Sequence, residues 1–492
     1  MEEMNDGLAP IEEVCDEDEV CSPDVTKADT ELPSLNHADL ARDFLASEWG
    51  KDFYHVYDLG ENQIASWTGT RWVISDSTKQ LRSAVRDYLD RLHGALPPPK
   101  KGHDYRAKLK SGPFCREVAT EATIKLPPIK KETFDRDSYL LGLPNGAVAE
   151  LRTGIVRPMQ RGDFVSKRLY IAPDAEMPTP RWTRFISEIA VGNTELEGFL
   201  LRLCALCLTA HPFQGLFFFW GKGRNGKGVL LRLLSHLLGH SFVAVFRPGE
   251  VTVSKFDEDR AKRSLSKLED VRLAMVDESV GGNLNLPLLK LMSGGDRIAA
   301  AKMRQDDRTF MPTHKLILPT NERPELPNSA AFGGRLFFVP FLADYSDRAK
   351  QDAELETTLA REAPGILARL IQQCPDVITN GLQEPEMVKA ASRAVLEEND
   401  IAKQFQEDML LDEPGSNVSH DEMRSAVQQW VTGSAGSGLT IRSTRTDTQV
   451  EKILTELKAK YQDRYKRLRR EGKNGPRVYH FLDVAVQHEG QE

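Results

Sequence analysis

Residues 221–228 read GKGRNGKG, between the apolar run LFFFW (216–220) and the helix-like run VLLRLLSHLLG (229–239). The octet lacks one feature of the phosphate-binding loop G-x-x-x-x-G-K-[ST]: Gly228 stands where a hydroxyl is usual. Such a loop works because glycines let consecutive backbone N–H groups curl around phosphates, and the following helix adds the positive end of its dipole. The expected context is a strand over 216–220, the loop over 221–228 and a helix from Val229. Gly221, Lys222, Gly223, Arg224, Asn225, Gly226, Lys227 and Gly228 are the candidate nucleotide contacts, with Lys227 reaching the β- and γ-phosphates. The alternative is a glycine turn joining a strand to a helix.

Further apolar runs follow at VRLAMV (271–276) and HKLILPT (314–320). Segments apolar on both faces, alternating with helical ones, suit a buried parallel sheet covered by helices, an α/β fold. Asp277 and Glu278 close the first run at the end where open α/β sheets bind ligands. Phosphoryl transfer needs an acid there, so Asp277 is read as the magnesium carboxylate and Glu278 as the residue that orients water. The second run ends in Asn321, whose amide can bond a γ-phosphate or the attacking water; a turn-forming Asn is the alternative. In FGGRLFFVPF (332–341), Arg335 follows a glycine turn. It can serve as an arginine finger from a neighbouring subunit, or be a surface residue at a strand start.

The flanking chain is consistent with a multidomain protein of 492 residues. Residues 1–31 hold twelve acids and one lysine, a local −11 against −8 for the whole chain, so the remainder carries +3. The first 36 residues read as an acidic, disordered tail, and the rest is not repelled by nucleic acid. Residues 37–190 form a mixed region. It includes a helix with Leu81, Val85, Leu89 and Leu92 on one face, a loop over 97–113, and short strands turned at Asn145-Gly146 and Thr153-Gly154. The ATPase-like core takes 191–345, a helical segment 346–411 and a basic domain 412–492, with DEPGSN (412–417) as a linker. In the last domain, helices over 418–434 and 448–462 and a strand at VYHFL (478–482) suggest a winged helix. Arg467, Arg470 and Lys473 are its candidate DNA contacts, a solvated basic face being the alternative. CALC (204–207) lies in an apolar helix and reads as core thiols rather than a zinc site. No apolar run is long enough to span a bilayer and no signal peptide is legible, so a cytoplasmic protein, in a bacterial host cell or phage-encoded, is expected.

Taken in order, GKGRNGK (221–227), the acidic strand end, LKLMSGGDRIAAAK (289–302), LILPTN and GRLFFVPF (334–341) resemble the superfamily 3 helicases. The likeness is to the C-terminal helicase part of phage, plasmid and poxvirus-type primase–helicases. FDRDSYLLGLPNGAVAELRTG and WTRFISEIAVGNTELEGFLLRLCALCLTA resemble the same family's helicase-associated N-terminal domain. The resemblance covers roughly residues 40–345. It implies an AAA+-like P-loop ATPase that uses ATP and Mg²⁺, assembles as a homo-oligomer, usually a hexamer, and moves on single-stranded and forked DNA during replication of a phage, plasmid or integrated element. A separate primase or polymerase is a compatible partner, and no membrane role is implied. The SGGD segment then leads into a pore hairpin: Lys302 matches a DNA-gripping position, and Arg304 is a candidate on charge alone. Three departures stand out: Ala301 replaces an Arg, Gly334-Arg335 replaces an Arg pair, and Gly228 replaces Ser/Thr. Some members of the family have glycine at the last of these positions. Asp135-Arg-Asp137 reads as structural, and no primase activity is expected. The departures leave a second reading open, a catalytically weak, nucleotide-dependent origin-binding or recruitment protein.

Overall fold

The computed structural model describes residues 35–59, 62–98, 104, 106–252, 264–277, 284–300, 308–324, 326, 334–347, 351–398, 401–433, 446–469 and 477–486. The chain divides into two compact units, one reaching to Pro128 and the other running from Ile129 onward and also taking in Val56–Gly60 and Trp67–Ile74.

The first unit is built on helices α1 (His37–Ala46), α2 (Lys79–Ala95) and α3 (Gly112–Ile124). Asn36 caps α1 by accepting from the Asp39 N–H at 2.8 Å, satisfying one of the donors a helix start leaves open. The 3.6-residue spacing of α2 buries Leu81, Val85 and Leu89 against Leu40, Phe44 and Val118, with Leu92 half-buried beside them. The stretch 97–113, expected as a loop, holds a 3₁₀ turn at Ala107–Lys110 and then opens α3.

The second unit begins with an antiparallel meander, β1 (Leu140–Gly142), β2 (Ala147–Glu150) and β3 (Ile155–Pro158). Its turns fall at the two expected dipeptides, where Asn145, Gly146 and Gly154 take positive φ. Helices α4 (Pro180–Ile189) and α5 (Thr194–Leu206) follow. Next come β4 (Leu216–Trp220), α6 (Lys227–Leu238), β5 (Val243–Phe246), β6 (Leu273–Val276) and α7 (Leu286–Ser293). A hairpin of β7 (Ile298–Ala300) and β8 (Arg308–Phe310) precedes β9 (Lys315–Thr320) and β10 (Leu336–Pro340).

Five of these strands form one parallel sheet in the order β10-β4-β9-β6-β5. Its faces are both apolar because alternate residues enter different clusters. Phe217, Phe219, Met275 and Ile317 pack with α5 and α6, while Phe218, Ala274, Leu316 and Phe338 fill the opposite layer. Each buried phenylalanine contributes roughly 1.5–3 kcal/mol, so LFFFW is held firmly as an interior strand. The order reverses at β4: the chain leaves β4 for β5 on one side and reaches β10 on the other. Ligand crevices of open α/β sheets form at such a reversal, beyond the strands' C-terminal ends.

Beyond the sheet lie α8 (Ala363–Asn380), α9 (Glu386–Glu398) and α10 (Ile401–Met409). The chain then forms β11 (Leu410–Ser419), α11 (His420–Gly433), α12 (Thr446–Lys460), β12 (Tyr465–Arg469) and β13 (Arg477–Val486). The three strands make an antiparallel sheet in the order β11-β13-β12, and Phe405, Val427, Leu454 and Phe481 join them to the three helices. Residues 412–417, expected as a linker, instead lie within β11. The register shifts between Asp412 and Asn417, and the Gly415 N–H donates to Asp483 at 2.9 Å. A bulge absorbs the Pro and Gly that had read as chain breakers. Among the described residues no helix is long and apolar enough to cross a membrane.

Candidate functional site

The octet sits where the sheet order reverses. β4 ends at Trp220, in register with Thr320 of β9 and Pro340 of β10. The Gly221 N–H donates to the Thr320 carbonyl at 3.1 Å, so the loop leaves the sheet level with Asn321. Gly223 has φ +100° and Gly226 φ +88°, conformations that disfavour any side chain. A Cβ on Gly221 would stand 1.9 Å from Asn225 Nδ2, and one on Gly226 2.5 Å from Ile189 Cγ2. Buried Asn225 donates to the Phe341 carbonyl at 3.1 Å and ties the loop to the end of β10. Helix α6 starts at Lys227, two residues before the expected Val229, which gives this lysine a place in the helix's first turn.

Lys227 is the chemical centre of the loop. Its side chain is buried and its Nζ donates to the Gly221 carbonyl at 2.5 Å and to Asn321 Oδ1 at 3.2 Å. Both acceptors are neutral. Burial without a compensating charge lowers its pKa to about 8. A phosphate placed in the loop would supply the missing negative charge.

The other candidates divide. Asn321 contacts Lys227 directly. Asp277 is exposed at the C-terminal end of β6, on the same edge of the sheet, with its N–H donating to Phe246 at 3.2 Å. Lys222 and Arg224 are exposed on the loop, and Gly228 lies in the first turn of α6. A Cβ on Gly228 would meet only the end of the flexible Arg232 side chain, at 2.9 Å from Nη1. Arg335 is elsewhere. It precedes β10, whose first residue pairs with Leu216 at the start of β4, so it lies at the opposite edge of the sheet, roughly 16 Å away at ~3.3 Å per residue. There it borders the SGGD turn: a Cβ on Gly294 would stand 3.4 Å from Arg335 Nη1 and 3.7 Å from Asp296 Oδ2. Ala301, Lys302 and Arg304 belong to the sequence joining β7 to β8. These three, with Glu278, Arg470 and Lys473, lie outside the described residues. Arg467 is exposed on β12.

Several residues that support the site were not legible as such. Phe185 and Ile189 of α4 close beneath Gly226, and the Tyr345 N–H donates to the Arg224 carbonyl at 2.9 Å. Tyr345 also donates its hydroxyl to Glu188 at 3.3 Å, and burial pushes its pKa up to about 12. These contacts join segments 37 to 157 residues apart in sequence, beyond any local signal. At the start of β9, fully buried Lys315 donates to the carbonyls of Thr209, His211 and Thr313 at 2.6, 3.1 and 3.2 Å. The cysteines of CALC are buried in the core, as expected. Asp135 accepts from the Ser166 and Lys167 N–H groups at 2.8 and 3.1 Å, a structural use of the D-x-D.

Residues 42–191 match the family described as D5 N terminal like, and residues 219–335 match a family of unknown function, DUF5906. The chain is 24% identical over 352 residues to a protein named as a candidate helicase, L207/L206, of Acanthamoeba polyphaga mimivirus, covering 66% of this chain and 36% of the relative. It is 26% identical over 306 residues to another so named, 022R of Frog virus 3, covering 58% and 31%. The matches thus span about a third of each curated relative's length. Among solved structures, the C-terminal region of NrS-1 overlays on 91% of this chain and all of its own length, at 13% identity and a TM-score of 0.49.

Proposed function

We propose that the chain is a member of the superfamily 3 primase–helicase family and an ATP-dependent DNA helicase acting in replication of a phage, plasmid or integrated element. One observation carries the ATPase reading: buried Lys227, bonded to two neutral oxygens, inside a glycine loop at the reversal point of a parallel sheet. In this reading the core is an AAA+-like P-loop ATPase. ATP phosphates lie against the backbone N–H groups of the loop, Lys227 contacts the β- and γ-phosphates, and Asn321 positions the γ-phosphate or the attacking water. Asp277 is the residue placed to hold Mg²⁺, which when bound offsets charge on the phosphates. Glu278 polarises the water. A carboxylate beside phosphate oxygens suits a hard cation that keeps several waters, so the hydroxyl that Gly228 lacks would not be required to hold it.

Because Arg335 lies at the far edge of its own sheet, it acts on the nucleotide of a neighbouring subunit in a ring, taken as a hexamer. Lys302 and Arg304, in the sequence that joins β7 to β8, contact DNA in the ring's centre. The C-terminal helices and sheet form a winged-helix domain that adds further DNA contact through Arg467, Arg470 and Lys473. Gly228 and Ala301 favour the second reading, a nucleotide-dependent origin-binding or recruitment protein. A strand-displacement assay separates the two. Wild type should unwind a forked duplex with ATP and Mg²⁺, and Lys302→Ala should lose unwinding more than basal hydrolysis. Nucleotide binding without strand separation or turnover would favour the second reading.

A further inference from the structure

The C-terminal domain offers two surfaces for DNA, and their chemistry differs. In a winged helix the expected reader is a helix, here α12. Yet α12 carries three acids and three lysines in fifteen residues, and its Glu451 is paired to Arg424 of α11 at 2.7 Å. Strand β12, five residues long, carries Lys466, Arg467 and Arg469 and no acid. The ribbon of β12 and β13 also carries an aromatic ladder. Phe481 is fully buried, Tyr465 packs on it at 4.8 Å between ring centroids, and Tyr479 stacks on Tyr465 at 5.0 Å with planes 11° apart. The ladder therefore runs from the core to the surface, where Tyr479 is 47% exposed. The Arg467 guanidinium lies 5.9 Å from the Tyr479 ring centroid, its residue paired with Tyr479 across the ribbon and on the same face, whereas Lys466 pairs with His480 on the other face.

We propose that the β12–β13 ribbon, not α12, is the nucleic-acid contact of this domain, and that it takes single-stranded DNA by stacking a base on Tyr479 while Arg467 meets an adjoining phosphate. The occupant follows from chemistry. A planar ring extending a ladder anchored in the core, with a guanidinium beside it, is the combination that holds unpaired bases, whereas duplex DNA keeps its base faces inside the helix. The inference rests on the winged-helix reading above and names the element and the form of DNA it engages.

The test uses the full chain without nucleotide. Fluorescence anisotropy is measured with a labelled oligo-dT strand and a labelled duplex of equal length across a salt series. Tyr479→Ala should weaken single-strand binding about tenfold, with little change in salt dependence and in duplex binding. Tyr479→Phe should retain wild-type affinity. Arg467→Ala should lower the single-strand salt slope by about 0.7, and Lys466→Ala, on the opposite face, should leave it unchanged. Lys452→Ala, exposed on α12, should change neither affinity. The proposal is overturned if wild type binds neither DNA, if Tyr479→Ala leaves single-strand affinity intact or weakens duplex equally, or if Lys452→Ala costs as much. DNA-free ATP turnover of the wild type, read in parallel, reports on the ATPase separately.

Discussion

Lys227 Nζ lies 3.2 Å from Asn321 Oδ1, joining the first residue of α6 to the end of the adjacent strand β9. The register of β4 on β9 places Gly221 beside Asn321, and the Gly221 carbonyl completes the lysine's surroundings at 2.5 Å. Asn321→Ala should leave nucleotide affinity within a few-fold and lower the turnover rate on the order of 10²-fold, as expected for a group that positions the reacting phosphate or water. A steady-state ATPase assay with a separate nucleotide titration checks this. Equal losses in affinity and turnover would assign Asn321 to ground-state binding only.

The lowered pKa of Lys227 links nucleotide binding to pH. In the free protein the ammonium has lost half of its proton occupancy near pH 8. A bound phosphate favours the charged form and raises that pKa, so binding above pH 8 takes up a proton. Affinity should be flat below about pH 7 and fall by up to about tenfold per unit as pH rises past 8. Calorimetry at pH 8.5 in two buffers of different ionisation heat measures the uptake. It should vanish in Lys227→Met, and no uptake by wild type would refute the linkage.

Gly228→Ser tests how the metal is held. The new side chain meets only the tip of Arg232, whose pair with Glu356 is more than half exposed at both ends and contributes under ~1 kcal/mol. The serine should therefore be accommodated, and the Mg²⁺ concentration for half-maximal turnover should drop several-fold. An unchanged magnesium requirement would mean that Asp277, phosphate and water already suffice.

Arg335 and Lys227 at opposite edges of one sheet make a subunit-mixing experiment decisive for the finger. Arg335→Ala and Lys227→Ala should each be inactive alone, with Arg335→Ala still binding nucleotide. Mixed together, some interfaces pair an intact loop with an intact arginine from the neighbour, and part of the turnover should return. Failure to recover any would place Arg335 in a structural role against the SGGD turn.

The sheet was legible because its strands are apolar on both faces, and LFFFW, VRLAMV and HKLILPT contain the observed β4, β6 and β9. Asn321 was legible as the end of such a strand next to the loop. Other features depend on contacts that local pattern does not encode. The start of α6 was misplaced because three of the four residues from Gly226 to Val229 give helix propensity little purchase, while the Gly226 carbonyl accepts from the Leu230 N–H at 3.0 Å in the folded chain. DEPGSN read as a linker because Pro and Gly disfavour strands, yet Asp483 on a neighbouring strand catches the Gly415 N–H and turns the irregularity into a bulge. The distance of Arg335 from the loop follows from β4 and β10 running parallel, a pairing that only the folded sheet reveals.

The most direct test of the account is ATP turnover by the purified wild-type chain with Mg²⁺, measured with and without single-stranded DNA, beside Lys227→Ala. The account expects turnover that rises on adding DNA in wild type and is abolished in the variant under both conditions. Wild-type turnover indifferent to DNA, or turnover that survives loss of the Lys227 ammonium, would contradict it.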